Sequence, residues 1–235
     1  MIETPVSLPC HRSITINPSS PVVPIPAFTP VLAGYMSFFA CLPAPRRVHA
    51  GAHMIDQGYT AQAVHLLERG VVKLVHLNAE GRETTTGLRS QGWYAGSTSV
   101  ILNAPSVYTV RAVTECRVIR IPATEFLNYL RKDSEMMGHF LAGLCLEVAS
   151  QANLHAQIMA ASAEERLDRF TRERETANQN RPTVDPLPLL KQMEVAQLLS
   201  ITPEHLSRLM NKRRERSPPR ETTLRQTWKR RLSPA

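Results

Sequence analysis

The stretch from Leu190 to Lys212 constrains the fold most, because two apolar helical patterns meet there across a short polar break. Apolar residues recur at helical spacing on both sides of the segment Ser200 to Thr202. Thr202 is a good N-cap, and Pro203 suits the first helical position, where no backbone donor is needed. The pattern predicts two helices whose apolar stripes face one another.

The spacing is that of a helix-turn-helix, whose second helix enters a major groove of DNA. Counted from Gln192, a small residue, Ala196, falls at the fifth position, and apolar residues fall at the core positions. The turn position, usually Gly, is Ser200; a left-handed backbone there would cost Ser roughly 1 kcal/mol more than Gly. We predict a helix-turn-helix domain over residues 189–214. The alternative is an ordinary helical hairpin within a core.

The second helix carries residues suited to reading base edges. Glu204, Ser207 and Arg208 are three and four positions apart and share one face. Arg can bind guanine bidentately, Glu can accept from cytosine N4, and Ser can serve either edge. The alternative is a solvated helix face. The candidate DNA-binding residues are Thr202, Glu204, His205, Ser207, Arg208, Lys212, Arg213 and Arg214.

The net charge of +8 is concentrated at the end of the chain. From Leu206 onwards ten Lys and Arg residues are opposed by two Glu residues, so the remaining 205 residues are neutral in sum. A basic cluster at and beyond the second helix favours phosphate contacts, which supply much of DNA affinity. We predict a basic tail over residues 215–235, where Pro218-Pro219 prevents a continuing helix.

The composition and the hydrophobic pattern change along the chain before the helix-turn-helix domain. Residues 1–30 are rich in Pro and Ser, which predicts a disordered arm. Residues 31–133 contain short apolar runs separated by glycines, with a hairpin signal at Asn78 to Gly81, which predicts an antiparallel barrel or sandwich. A short helix is predicted over Ala123 to Lys132 at its end.

A long helix is predicted over residues 134–161. Met137, Leu141, Leu144 and Val148 alternate at spacings of four and three, which indicates a coiled-coil-like seam with a second copy of the chain. The alternative is a helix packed only on its own barrel. Residues 162–188 are expected to hold another helix, Ala163 to Glu175, and a linker from Asn178 to Pro188.

The remaining features argue for a regulatory rather than a catalytic protein in the cytoplasm. The four Cys residues are far apart and form no Cys-x-x-Cys pair, so we expect neither a zinc site nor an iron–sulfur cluster. No apolar run approaches 18 residues and no signal pattern is present, so we expect no membrane association. No cluster of catalytic residues stands out, and we do not expect an enzyme.

Between Tyr35 and Lys212 the sequence resembles the Crp/Fnr family of bacterial transcription regulators. The resemblance is carried by the segments GAHMIDQG, VVKLVHLNAEGRETTTGLRSQGWYAG, RIPATEFLNYL, EERLDRF and EHLSR. It implies an α+β fold: a cyclic-nucleotide-binding-like β-roll, resembling a jelly roll, a dimerisation helix, and a C-terminal helix-turn-helix. It also implies that Glu204, Ser207 and Arg208 read a palindromic operator with half-sites about 34 Å apart. The family's wing is expected to be atypical or missing.

The resemblance also locates an effector cassette and suggests what it does not bind. Cyclic-AMP-binding members carry Gly-Glu-Leu and Arg-Ser segments, and these positions here are Gly96-Ser97-Thr98 and Ser106-Val107. Without the Arg, a cyclic phosphate loses a charge-assisted bidentate bond, so we expect no cyclic nucleotide. Either another small ligand binds here or the hydroxyls satisfy one another in a closed core. The candidate effector residues are Gly96, Ser97, Thr98, Ser99 and Ser106.

The function predicted from these observations is a homodimeric, sequence-specific DNA-binding transcription regulator. Its partners would be double-stranded DNA, a second copy of the chain and RNA polymerase, and its effector is unidentified. Two alternatives stay open: a sensing or interaction module that has lost specific DNA reading, and a non-specific electrostatic nucleic-acid binder.

Overall fold

The computed structural model describes residues 42–180 and 190–216, without the side chains at 135, 139, 173–180, 214 and 216. Strands and helices in these ranges are, in chain order, β1 (Arg46–Val48), β2 (His53–Ile55), β3 (Ala63–Arg69), β4 (Val72–Leu77), β5 (Glu83–Arg89), β6 (Tyr94–Ala95), α1 (Ser97–Leu102), β7 (Thr109–Ala112), β8 (Cys116–Pro122), α2 (Ala123–Lys132), α3 (Ser134–Ala160), α4 (Ala163–Asn180), α5 (Gln192–Leu198) and α6 (Pro203–Arg216).

The strands form two antiparallel sheets, in agreement with the fold class predicted for this part of the chain. One sheet has the order β1-β8-β3-β6 and the other β2-β7-β4-β5. The predicted hairpin joins β4 to β5: the Gly81 N–H donates to the Asn78 carbonyl at 3.0 Å, and Asn78 Oδ1 accepts the Arg82 N–H at 2.8 Å. Gly81 has φ +76°, a conformation that suits glycine.

Side chains on the two faces of the strands pack into two separate cores. Leu67 and Val118 lie in a core between the two sheets, together with Ile55, Val72, Leu74, Trp93 and Val110. Val64 and Ile119 lie in a second core, under α2 and α3, together with Leu66, Ile121, Phe126, Leu130, Met136 and Phe140. Successive residues of a strand point to opposite faces, so one strand contributes to both cores. Helix α2 buries one face, through Phe126 and Leu130.

The two helices that follow begin at the residues expected from the sequence and differ from the expectation at their ends. Helix α3 ends one residue before the predicted end, and its first half packs on the roll through Met136 and Phe140. Helix α4 continues to Asn180, so the first residues of the predicted linker, from Asn178, are helical. The predicted arm 1–30, the rest of the linker and most of the basic tail lie outside the described residues, as does any wing.

None of the helices in the described ranges combines the length and apolarity that a membrane span requires.

Candidate nucleic-acid interface and effector cassette

Helices α5 and α6 are held together by apolar residues at the core positions of the helix-turn-helix pattern. Ala196 of α5 and Leu206 of α6 are completely buried in one shared core. Val195 and Leu199 of the same core are nearly so. Ile201, Leu209 and Met210 pack at the edge of the same core. Met193, which belongs to the predicted apolar stripe of the first helix, is instead 48% exposed.

The connection between the two helices is a compact C-cap followed by an N-cap. The Ile201 N–H donates to the Ala196 carbonyl and the Ser200 N–H to the Gln197 carbonyl, both at 3.0 Å. This pair of bonds is a Schellman motif, which places Ser200 at the left-handed position with φ +53°. The Thr202 hydroxyl then accepts the His205 N–H at 3.2 Å, as an N-cap does.

Around α6, the candidate reading residues lie away from the core. Glu204 and Arg208 are exposed, Ser207 and His205 are partly exposed, and Leu206 between them is buried. Within the described part of the chain, Arg208 makes no ion pair, so its guanidinium is open to solvent. The outer face of α6 therefore presents a carboxylate, a hydroxyl and a guanidinium together.

Two of the predicted basic contacts point towards α4 instead. Arg213 pairs with Asp168 and donates from Nη1 to Thr171 Oγ1 at 3.0 Å. Lys212 Nζ lies 3.2 Å from Glu164 Oε2, with both side chains well exposed. Arg213 thus forms a half-buried contact between α4 and α6, whereas the ion pair of Lys212 with Glu164 is exposed. The side chain of Arg214 lies outside the described residues.

The α5–α6 pair is attached to the roll by contacts that sequence reasoning missed. Glu194, 7% exposed, pairs with Lys73 of β4 and accepts the Lys191 N–H at 2.7 Å. Gln197 Oε1 accepts the Thr85 N–H of β5 at 2.8 Å. The apolar contact comes from Val71, Leu88 and Val113. A carboxylate at the third position of a helix signals a cap, but nothing in sequence identifies a partner 121 positions away.

Two hydroxyls of the effector cassette, those of Ser99 and Ser106, are engaged by backbone groups of neighbouring residues. Ser99 Oγ accepts the Ala61 N–H at 2.9 Å and donates to the Ala104 carbonyl at 2.5 Å. Ser106 Oγ donates to the Tyr108 carbonyl at 2.7 Å. Gly96, φ +84°, leaves space for Ile55 Cδ1, which would lie 2.9 Å from an added Cβ. Ser97 is buried and Thr98 is exposed. Of the two readings, the geometry favours the closed core.

Two cavities on the described part of the roll are lined by residues other than the cassette serines. The smaller, of about 310 Å³, contains His65 and Arg120, which face each other across β3 and β8. Burial, with a smaller contribution from Arg120, lowers the pKa of His65 from 6.5 to about 4. The larger, of about 480 Å³, is lined by Pro45, Arg47, Arg69, Glu115 and Arg117. In the described ranges, His, Cys, Asp and Glu do not group in threes that could hold a metal ion.

A sequence match identifies the family of the roll. Residues 45–133 match the cyclic nucleotide-binding domain family. The potassium channel SKOR of Arabidopsis thaliana is 26% identical over 80 residues, which are 34% of this chain and 10% of the channel. The aligned stretch thus spans only a tenth of the channel's length.

Two solved structures share the fold over most of both chains. The c-di-GMP-responsive global regulator CLP of Xanthomonas campestris has a TM-score of 0.62 and 15% identity, covering 78% of this chain and 92% of that chain. TTHB099, a transcriptional regulator of the CRP family from Thermus thermophilus, has a TM-score of 0.56 and 20% identity, covering 73% and 85%. In sequence, residues 45–133 thus match the cyclic nucleotide-binding domain family, and in fold the chain resembles these two regulators.

Proposed function

We propose that this chain is a homodimeric, sequence-specific DNA-binding transcription regulator of Crp/Fnr type. The observation that carries the proposal is the polarity of α6: Leu206 is completely buried, while Glu204 and Arg208 beside it are exposed. A helix fixed by its apolar side, with base-reading side chains on the other, is the geometry with which a recognition helix enters a major groove.

In this proposal α5 and α6 form a helix-turn-helix, and the roles divide along α6. Glu204, Ser207 and Arg208 contact base edges, with His205 at their margin. Lys212 can exchange its solvated Glu164 partner for a DNA phosphate, because an exposed ion pair is worth little. Arg213 is engaged by Asp168 and Thr171, so it positions the helix instead.

A second copy of the chain is the proposed partner of α3. Of the seam residues, Met137, Leu141 and Val148 are 41%, 56% and 67% exposed, whereas Leu144 packs partly against the core under α2 and α3. The helix has 27 residues, and the described cores take apolar side chains only from its first half. A long helix with an unpaired apolar seam is typical of a coiled-coil dimer, which would set two recognition helices at half-site spacing.

The proposed control is a population shift between arrangements of the roll and the helices. We do not assign a cyclic nucleotide as the signal, because the Ser99 and Ser106 hydroxyls donate to backbone carbonyls and Ser106-Val107 offers no guanidinium. Contact with RNA polymerase is proposed from the resemblance to the family alone.

The proposal is tested by selecting bound duplexes from a random pool with the full chain at near-physiological salt. We expect an enriched palindrome, and we expect Arg208→Ala to relax the preference at one base pair of each half-site. The matched control is Arg131→Ala, which removes an exposed arginine from α2 and should leave the palindrome unchanged.

The two alternatives predict different results in the same experiment. A purely electrostatic binder would show a steep salt dependence with no enriched sequence. A module that has lost DNA reading would retain no duplex, and Arg208→Ala would change nothing. Either result overturns specific DNA reading.

A further inference from the structure

Three arginines lie in a row across three adjacent strands of the roll. Arg47 of β1 is directly opposite Arg117 of β8, and Arg117 is directly opposite Arg69 of β3. All three are exposed and line the same cavity of about 480 Å³. Like charges directly opposite one another destabilise a sheet. This arginine row therefore opposes folding, and an anion bound between the three side chains would relieve the repulsion.

Neighbouring carboxylates do not occupy the hydrogen-bond donors of the guanidinium groups in the row. Arg47 Nη1 lies 3.7 Å from Glu115 Oε1, which is too long for a hydrogen bond. Arg117 Nε lies 3.0 Å from Glu68 Oε2, yet that oxygen has no hydrogen-bond partner among the described residues, so the contact is electrostatic only. Arg69 makes no ion pair or hydrogen bond within the described ranges.

Another arginine of the same roll is bound quite differently. Arg111 places Nη1 and Nη2 on the two oxygens of Glu83, at 3.2 and 2.7 Å. Its guanidinium is thus fully engaged by a side chain of the roll, as is typical of a structural arginine. The arginines of the row, by contrast, make no such two-point hydrogen bond to a carboxylate within the described ranges.

We propose that the arginine row is a binding site for the phosphate group of a small phosphorylated molecule. Planar guanidinium groups match phosphate oxygens bidentately, and the three of them outnumber the two carboxylates beside them, Glu115 of the cavity lining and Glu68. A cavity of this size accommodates a small ligand. This inference does not rest on the proposed reading of DNA.

The site adjoins the surface on which the C-terminal helices pack. Arg69 is two residues before Val71, and Glu115 is two residues after Val113; both valines belong to the core of α5 and α6. Gly70, between Arg69 and Val71, packs closely on the segment that holds Glu115, since a Cβ on Gly70 would lie 2.7 Å from the Glu115 carbonyl oxygen. A phosphate held by the row therefore acts directly on the attachment of the α5–α6 pair.

The experiment is titration of the full chain with orthophosphate and with pyrophosphate at low ionic strength, without DNA, followed by calorimetry. We expect saturable binding that weakens about tenfold in Arg69→Met and in Arg117→Met. Arg69→Lys, which keeps the charge and loses the planar fork, should bind with intermediate affinity. Arg131→Met on α2 is the control for charge alone, and thermal melting shows that each variant is folded.

Two results overturn the proposal: binding that is equal in the wild type and both Met variants, or no saturable binding of either probe. A further arm separates free phosphate from a nucleic-acid backbone. If Arg69→Met weakens binding of a long duplex but leaves both probes unaffected, the row contacts DNA phosphates and the small-molecule site is excluded.

Discussion

Arg89 and Glu147 form a buried ion pair that joins strand β5 to the long helix α3. Arg89 Nε and Nη2 lie 3.1 and 2.8 Å from Glu147 Oε1, and the arginine side chain is 3% exposed. The other carboxylate oxygen accepts the Trp93 Nε1–H at 3.0 Å. Leu88, the preceding residue of β5, packs in the core of α5 and α6. Two successive residues of one strand thus connect the roll to both helical units.

Removal of one partner of this pair should destabilise the fold, because it leaves an uncompensated buried charge. We expect Glu147→Leu to lower the free energy of unfolding by about 3 kcal/mol, and Arg89→Met/Glu147→Leu to recover most of the loss. Denaturant unfolding at one fixed protein concentration measures both, with Trp93 fluorescence as the probe. The same change at exposed Glu125 is the control; an equal effect there would contradict a role of the pair.

The left-handed backbone at Ser200 predicts a stabilising substitution. Ser200→Gly should raise the free energy of unfolding by roughly 0.5–1 kcal/mol, because glycine has no Cβ to strain at φ +53°. Asn211→Gly, at an exposed position inside α6, should have the opposite sign, since glycine weakens a helix interior. Urea unfolding of both variants checks the prediction, which fails if the two changes have the same sign.

The contact between Lys73 and Glu194 predicts how firmly the α5–α6 pair is attached to the roll. In Lys73→Met the buried Glu194 keeps only its Lys191 N–H bond, so the opening of α5 should become easier by about 1–2 kcal/mol. Faster amide hydrogen exchange over residues 192–199, with β3 unchanged, is the expected signature. Lys132→Met on α2 serves as the comparison, and equal exchange in both variants would rule out the attachment.

The half-buried His65 predicts a loss of stability in acid. The unfolded chain takes up a proton at this side chain near pH 6.5, but the folded protein does so only near pH 4, because burial and then Arg120 lower its pKa. Its contribution is therefore complete above pH 6.5 and is lost as the pH falls towards 4, with a total of the order of 2–3 kcal/mol.

The corresponding experiment compares pH profiles of unfolding. His65→Gln should flatten the profile between pH 6.5 and 4, while the same change at exposed His49 should leave it as in the wild type. A profile of His65→Gln that parallels the wild type would show that other groups cause the acid sensitivity.

The exposed seam of α3 predicts a dimer that one charge can dissociate. Val148→Glu should raise the dimer dissociation constant about tenfold or more, because the carboxylate would be buried without a partner. Asn153→Glu places the same charge on the opposite side of the helix and should leave the dimer intact. Sedimentation equilibrium distinguishes the two, and a dimer that tolerates Val148→Glu would exclude the seam as the interface.

Local patterns predicted the helices, the hairpin and the caps of this protein well. The Asn78 to Gly81 turn, the N-cap at Thr202 and the left-handed Ser200 depend on residues within a few positions of one another, so their physical causes are present in the sequence. The end of α4 was misjudged because Asn178 signals a loop only weakly.

Side-chain partners distant in sequence were not predictable, because they depend on which strand lies beside which helix. From the sequence Arg213 is a candidate DNA contact, but in the fold it pairs with Asp168 of α4. Glu194 is by position a cap residue, and in the fold it also pairs with Lys73 of β4. Arg47, Arg69 and Arg117 become one row only through the pairing of β1 and β3 with β8. Periodicity and caps thus specify elements, whereas the pairing of distant charges is set by strand order and packing.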